Sequence, residues 1–512
     1  MERAHHRVKG VPGELSARHS MKNPEALGRG KIGIRFVLLS LVMGLLAALL
    51  SGSLQWGGGV RAGAPWEAFQ AHMEERIPAL MKLFGVPGCS VALVHDRELL
   101  WTRAYGYADV AAGRELNADT PMRVQSISKS VTAWGVMKLA EKGLIDLDAP
   151  VSHYLSRWQF PRPDPWAEKI TARRLLSHTA GMPLGDIFSL YTPGEEMPTL
   201  KEKLTQEAVL IREPGTGFSY SNTGYNLLEL LIQEVAGRDF SEYMLTEVLL
   251  PLGMRNASFA TDSALPPYPP TGYDLAGKPV PAYVYPEKAS GGLFATAADI
   301  ARFALGSMQE NPVLGPESVA ALYAPASRGI GIYGLVFEAY GFGHYLETLP
   351  TGFLSISHGG QGTGIMTHFQ AVPQTGDAIA VLTNSQRSWP LISYVLRDWA
   401  QWQAFPSVGM ERILWGHYAL SGLVGMLLSA SLLIVLRLIT AFARQRRSGA
   451  KPLRLAAALV LLGVLVWCAC QKYLFVTSVF PVLSLWLGGA VLALSIALLL
   501  SGALPYTQKK EG

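Results

Sequence analysis

Within VQSISKSVTAWGVMKLA, residues 124–140, Ser126 stands three residues ahead of Lys129 at the head of a stretch whose spacing predicts an amphipathic helix. Residues three apart share one helix face, so the two side chains can touch. A serine hydroxyl is a poor nucleophile until a neighbour takes its proton. Lysine can do so once burial or a nearby cation lowers its pKa. The field at a helix start, worth about 0.3–1 kcal/mol, disfavours an ammonium and favours developing negative charge. The spacing alone is weak evidence. It recurs at Ser448-Gly-Ala-Lys451, in a basic loop with no plausible pocket. The plain alternative is an N-cap serine beside a surface lysine.

Two further stretches bear on the choice. Tyr220-Ser221-Asn222 opens a predicted helix some ninety residues on. A tyrosine beside a lysine can run as phenolate and pass protons to a leaving group, while the asparagine can hold a substrate amide. His358-Gly359-Gly360 follows a β-run. Its glycines would let a substrate backbone lie against the strand edge, and the histidine could supply a donor. Taken singly, these are an ordinary turn and a strand end with a surface histidine. His178, in LLSHTAGM, suggests a Ser-His triad, but Lys129 and Tyr220 already fill the base positions, which favours a structural role.

These residues need a scaffold. Residues 66–84 have helical periodicity, and CSVALVHDRELLWTRAYGYADV reads as a hairpin around a His-Asp turn. FSYSNTGYNLLELLIQEVAG becomes helical near Thr223 and stops at Gly237. FLSISHGGQGTG and THFQAVPQTGDAIAVLTN predict three strands with turns at Gly-Gly and at Gln-Thr-Gly-Asp, and SWPLISYVLRDWAQWQ predicts a closing helix. The economical arrangement is α+β: one antiparallel sheet built from both ends of the domain, flanked by helices, with a helical insertion beside it. A cleft between sheet and insertion is the natural ligand site.

The 512 residues are too many for one ordinary core. Mean hydropathy is +0.21, with the apolar excess at the two ends. Residues 36–54 form an uncharged span, compatible with either a cleaved signal or a retained anchor, and 413–436, 455–471 and 473–504 form three more, the last broken by Pro481. Between residues 61 and 400 there are 26 Lys and Arg against 34 Asp and Glu, and elsewhere 18 against 5. An acidic middle argues against nucleic-acid binding. The basic residues of 1–35, of the 437–454 loop and of the 505–512 tail mark those segments as cytoplasmic. The region 60–405 is then extracytoplasmic, and 413–504 holds three transmembrane helices that could also meet a protein partner. Of three cysteines only Cys89 lies in the exported region, so it has no disulfide of its own, and no Cys/His spacing suggests a metal.

Ser126-x-x-Lys129, Tyr220-x-Asn222 and His358-x-Gly360, in that order, resemble the three motifs of the serine β-lactamase and penicillin-binding protein superfamily. LLSHTAGM, GVPGCSVALV and GGLFATAADIARF are similar to its branch around class C β-lactamases, DD-peptidases, esterases and D-aminopeptidases. The resemblance covers roughly residues 66–400. It implies a β-lactamase/transpeptidase-like fold with Ser126 as the acylated nucleophile, Lys129 as its base or base-partner and Tyr220 as the proton shuttle. Asn222, His358, Gly360 and Gln361 would bind substrate, the backbone N–H groups of Ser126 and Gln361 forming an oxyanion hole. No cofactor is implied. Histidine replaces the lysine usual in the third motif of β-lactamases and DD-peptidases. An exported domain followed by three spans resembles membrane-bound D-stereospecific peptidases of nonribosomal peptides, acting in prodrug maturation or antibiotic self-resistance. A cell-wall D-alanyl-D-alanine peptidase or β-lactamase-like penicillin-binding protein is the alternative. A non-enzymatic membrane sensor is a third, disfavoured by the shortness of the cytoplasmic segments.

Overall fold

The computed structural model describes residues 38–40, 42–46, 59–162, 164–260, 268–405, 407–443, 451–471 and 474–504. Helix α1 (Trp66–Phe84) forms where its periodicity predicts and closes on Gly85, whose φ of 65° no β-carbon opposes. Strands β1 (Gly88–His95) and β2 (Glu98–Asp109) make the expected hairpin. Its turn residues, Asp96 and Arg97, take φ of 49° and 63°, the positive pair that a two-residue hairpin turn requires. At the other end of the domain come β10 (Leu354–Gly362), β11 (Ile365–Val372) and β12 (Asp377–Thr383).

Antiparallel pairing of β1 with β12 joins the two ends of the domain. With β3 (Arg114–Glu115), β8 (Ala339–Tyr340) and β9 (Tyr345–Thr348) the described strands form one sheet in the order β3-β2-β1-β12-β11-β10-β9-β8. Strand alternation divides the core between the two faces. Ala92, Val94, Ala380 and Leu382 point to one side, packing with α2 (Ile127–Glu141), α5 (Asn222–Ala236) and α7 (Ala297–Gly306). Cys89, Val91, Leu93 and Val381 point to the other, against α1 and the closing helix α9 (Trp389–Trp402). The helical insertion includes α3 (Ala172–Leu176), α4 (Leu200–Glu207) and α6 (Phe240–Met244), with α8 (Pro316–Leu322) between α7 and β8.

Two expectations need correction. Helix α2 is not amphipathic: Ile127 to Met137 are buried on every face, because the helix runs between α5 on one side and β10 and β11 on the other. Gly359-Gly360 is not a turn either. Strand β10 runs through it to Gly362, and the chain reverses at Thr363-Gly364, where Gly364 has φ of 77°.

Beyond α9 lie α10 (Arg412–Ala443), α11 (Pro452–Cys470), α12 (Phe475–Val479) and α13 (Pro481–Ala503), with the break at Pro481 as expected. Three helical stretches, Gly409–Ala443, Pro452–Cys470 and Pro481–Ala503, are long and apolar enough to cross a membrane. Of the predicted first span, 36–54, only 38–40 and 42–46 are described, and these are helical; segments 1–35, 444–450 and 505–512 lie outside the described residues. The chain divides into two compact units, one of residues 47–421 with 463–489, the other of 1–46, 422–462 and 490–512. Within the first unit, α12 is more than a connector. Ser478 and Val479 are buried, Val479 belongs to the core beneath α1 and α9, and Phe480 packs on that core.

Candidate active site

The approach to Ser126 is built by a short pairing of β4 (Met122–Arg123) with β7 (Phe294–Ala295), continued by Val124 N–H donating to the Leu293 carbonyl at 2.9 Å. Gln125 then takes φ of 54°, a left-handed conformation that costs a side-chain-bearing residue of order 1–3 kcal/mol. Its buried amide holds it there by donating to the Tyr283 hydroxyl at 3.0 Å. From this kink Ser126 enters the helical region, at φ −65° and ψ −7°, as the N-cap of α2, half-buried.

One turn on, Lys129 is fully buried. Its Nζ lies 3.0 Å from Ser126 Oγ, donates to the Ser290 carbonyl at 2.7 Å, and lies 5.0 and 5.8 Å from the Tyr220 and Tyr225 ring centres. Among the described residues no carboxylate pairs with it. Burial therefore holds its pKa well below the ordinary lysine value, and the neutral amine, a base, is favoured.

Tyr220 precedes α5, whose N-cap Ser221 accepts from the Gly224 N–H at 2.8 Å. Burial, reinforced by Tyr333, drives the phenol pKa well above its usual value, while a hydrogen bond with Ser126 pulls it down. The resting group is thus a phenol, not the phenolate that the sequence suggested, because desolvation outweighs the Ser126 hydrogen bond. Its partner is His178, ring centres 4.3 Å apart. His178 Nδ1 accepts the Ser221 N–H at 3.1 Å, fixing the residue next to Tyr220. Burial, then Lys129 and His358, keep its imidazole neutral. It lies against the tyrosine and receives a backbone donor, so it buttresses the site. Substituting alanine would leave the buried Ser221 N–H unpaired and put at φ of 57° a residue less tolerant of that conformation than histidine. His178→Ala should cost about 2 kcal/mol or more in denaturant unfolding, whereas His178→Asn, which tolerates that φ and can accept the same bond, should recover most of it.

Strand β9 pairs with residues 354–357 of β10, and β11 pairs with 356–362, so from His358 onward β10 has a strand on one edge alone. His358 is deeply buried, with Nδ1 against the Gly359 carbonyl at 2.8 Å and Nε2 against the Tyr340 hydroxyl at 3.1 Å. Burial and Lys129 keep the ring neutral. With Nδ1–H donating and Nε2 accepting, no donor is left for a substrate, which corrects the direct role expected of it. The two glycines are demanded by the protein itself. A β-carbon on Gly360 would lie 2.2 Å from the Val124 carbonyl oxygen, and one on Gly359 would lie 2.8 Å from the Trp389 indole. Gly360 thereby lets β10 reach the turn that carries Ser126. Gln361 is gripped at both ends: Trp389 Nε1 donates to its Oε1 at 3.2 Å, and its Nε2 donates to Ser478 Oγ at 2.8 Å. Asn222 heads α5, half-buried, its N–H donating to the Leu184 carbonyl at 3.0 Å.

A serine on a strained turn, a buried amine and a phenol converge here beside an open strand edge, and residues 73–393 match the Beta-lactamase family model. The chain belongs to the beta-lactamase family of serine hydrolases. Protein flp of Staphylococcus aureus (strain MRSA252) is 30% identical over 199 residues, 38% of this chain and 38% of that protein, so the chain spans about two fifths of this relative's length. The octameric penicillin-binding protein homologue from Pyrococcus abyssi aligns with a TM-score of 0.56 at 25% identity, covering 64% of this chain and 77% of its own. A D-stereospecific amidohydrolase from Streptomyces sp. aligns with a TM-score of 0.52 at 25% identity, covering 63% and 95%.

Several residues that complete this beta-lactamase-family site carry little sequence signal. Ser290 contributes a backbone carbonyl, which no side-chain pattern reveals. Tyr340 reaches His358 from a two-residue strand. Ser478 comes from a segment that reads as part of an apolar span.

Proposed function

We propose that the protein is a membrane-anchored serine peptidase that cleaves at D-amino acids in peptide natural products through an acyl-enzyme on Ser126. The observation that carries this reading is the contact of Lys129, held neutral by burial, with the Ser126 hydroxyl beneath the Tyr220 ring. Ser126 Oγ attacks the substrate carbonyl while its proton passes to the Lys129 lone pair. The scissile C–N bond breaks as the Tyr220 phenol protonates the leaving amine, and the Lys129 ammonium returns a proton to Tyr220. Water then cleaves the ester by the reverse route. Gln361 and Ser126 N–H groups would hold the oxyanion, with Asn222 on the substrate amide. Likeness to a D-stereospecific amidohydrolase supports the stereochemistry, and three membrane-length helices support anchoring. The charge division argues for a catalytic region outside the cytoplasm.

Likeness to a penicillin-binding protein homologue keeps cell-wall DD-peptidase activity as the second reading. The test is cleavage, by purified full-length protein in detergent, of peptide pairs differing only in D or L configuration at the scissile residue. The D isomer should be cut preferentially, and the Ser126→Ala protein should cut neither. Equal cleavage of both isomers would remove the D-specific reading, while strong, stable labelling by a fluorescent penicillin would favour the cell-wall one.

A further inference from the structure

Glu229 lies fully buried on α5, where a charge is costly, and among the described residues it makes no ion pair to justify its position. One of its oxygens, Oε2, accepts two consecutive backbone donors, the N–H groups of Lys288 at 2.7 Å and Ala289 at 2.8 Å. The next residue, Ser290, supplies the carbonyl to which Lys129 Nζ donates. The same loop is pinned from α2, with Thr132 Oγ1 donating to the Ala289 carbonyl at 3.1 Å and Ser128 Oγ accepting from Leu293 N–H at 3.0 Å. It is folded so tightly that a β-carbon on Gly292 would lie 2.7 Å from Lys288 Cα. The Lys288 ammonium turns away, to Ser241 Oγ at 2.8 Å and Asp239 at 3.4 Å. Burial pushes the Glu229 carboxyl up to about 7 even against its two N–H donors and Lys288, with Glu287 adding to the rise.

A neutral amine has two N–H bonds and one lone pair. With one N–H fixed on the Ser290 carbonyl, the lone pair is free to face Ser126 Oγ, 3.0 Å away. We propose that Glu229 is a positioning residue for Lys129: it clamps the 288–290 loop so that the Ser290 carbonyl aims the amine's lone pair at the nucleophile. The proposal rests on the reading of Ser126 and Lys129 as the acylating pair. The role needs an acceptor oxygen and not a charge.

The test is the rate at which a fluorophosphonate labels full-length protein, measured across pH. This probe reports attack by Ser126 on phosphorus with loss of fluoride, whatever the natural substrate. Glu229→Leu should slow labelling about 10- to 100-fold, the range set by misplacing a catalytic group by an ångström. It should also move the acid limb of the profile to lower pH, because a lost carbonyl acceptor no longer favours the Lys129 ammonium. The other groups facing that amine, Tyr220, Tyr225, His178 and His358, are the same in both proteins. Glu229→Gln, whose amide oxygen accepts both N–H groups, should label close to wild type. If the leucine variant does not fold, Glu229→Asp, which keeps the charge and withdraws the oxygen by one methylene, should show the same slowing. An unchanged rate and profile in the leucine or aspartate variant, or a glutamine variant as slow as either, would overturn the proposal. Labelling of Ser126→Ala at the wild-type rate would instead remove the acylating pair itself.

Discussion

Lys129→Met should abolish turnover and raise the melting temperature. Methionine fills the same buried space beside the Tyr220 and Tyr225 rings but has no lone pair basic enough to take the Ser126 proton. General-base loss is worth about 10²–10⁴ in rate, so kcat should fall by about that factor or more. Stability moves the other way. Burial with no carboxylate among the described residues holds the lysine pKa down, so folding at neutral pH works against the protonation that the unfolded chain prefers. Between the lowered folded value and the ordinary 10.5, the unfolded state binds more protons, and wild-type stability must climb as pH rises. Methionine removes the penalty and with it that climb. At about 2.1 cal/mol/K of unfolding entropy per residue, each kcal/mol recovered is worth about 1 °C in a unit of this size. Calorimetry of both proteins from neutral to alkaline pH checks the sign. A methionine variant that melts lower at neutral pH, or one that still turns over, would contradict the assignment.

Gly360→Ala is the second large effect. The added β-carbon meets the Val124 carbonyl oxygen at 2.2 Å, Thr367 Oγ1 at 2.3 Å and Gln125 Cβ at 2.9 Å. Val124 and Gln125 form the turn that aims Ser126, and Gln125 already sits at positive φ. Relief has to come from parting β10 from that turn. Overpacking of this kind costs about 1–3 kcal/mol, and an ångström of displacement at the nucleophile about a hundredfold in rate. Gly359→Ala is the internal control. Its β-carbon meets the tip of the Trp389 ring, a side chain away from the Ser126 turn. It should lose stability with a smaller loss of rate than Gly360→Ala, because Trp389 holds Gln361 and not the Ser126 turn. Equal kinetic losses in the two variants would show that Gly360 is not the residue that sets this approach.

The elements with strong local signals were legible in advance. Helix α1 has the predicted bounds, the α5 terminus falls at Gly237, and the sheet joins early to late strands through β1 and β12, which are buried on both faces and need partners on both edges. Ser126 and Lys129 could be picked out by their spacing, and Tyr220 by its place in the order of the three motifs, because their chemistry resides in side chains. What stayed hidden depends on burial and backbone. The Tyr220 phenol is protonated because of desolvation, which spacing does not report. Gly359-Gly360 looks like a turn because glycine bends chains, yet here it serves close packing. His358 looked available until Tyr340, eighteen residues upstream, proved to occupy its Nε2. Helix α2 seemed to have a wet face because Ser128, Lys129, Ser130 and Thr132 are polar. Ser128, Lys129, Ser130 and Thr132 are instead satisfied internally, by Gln125, Ser290, Gly343 and Ala289 carbonyls.

The short helix that places Ser478 on Gln361 and Val479 in the lower core also fixes an order of synthesis. Residues 475–480 leave the ribosome only after α10 and α11, so the Ser478 and Val479 contacts with the hydrolase half can form only late in translation. A fragment ending near residue 405 would make neither contact. The packing around Gln361 therefore includes a segment that lies beyond two membrane-length helices in the chain, and an excised cassette would lack it.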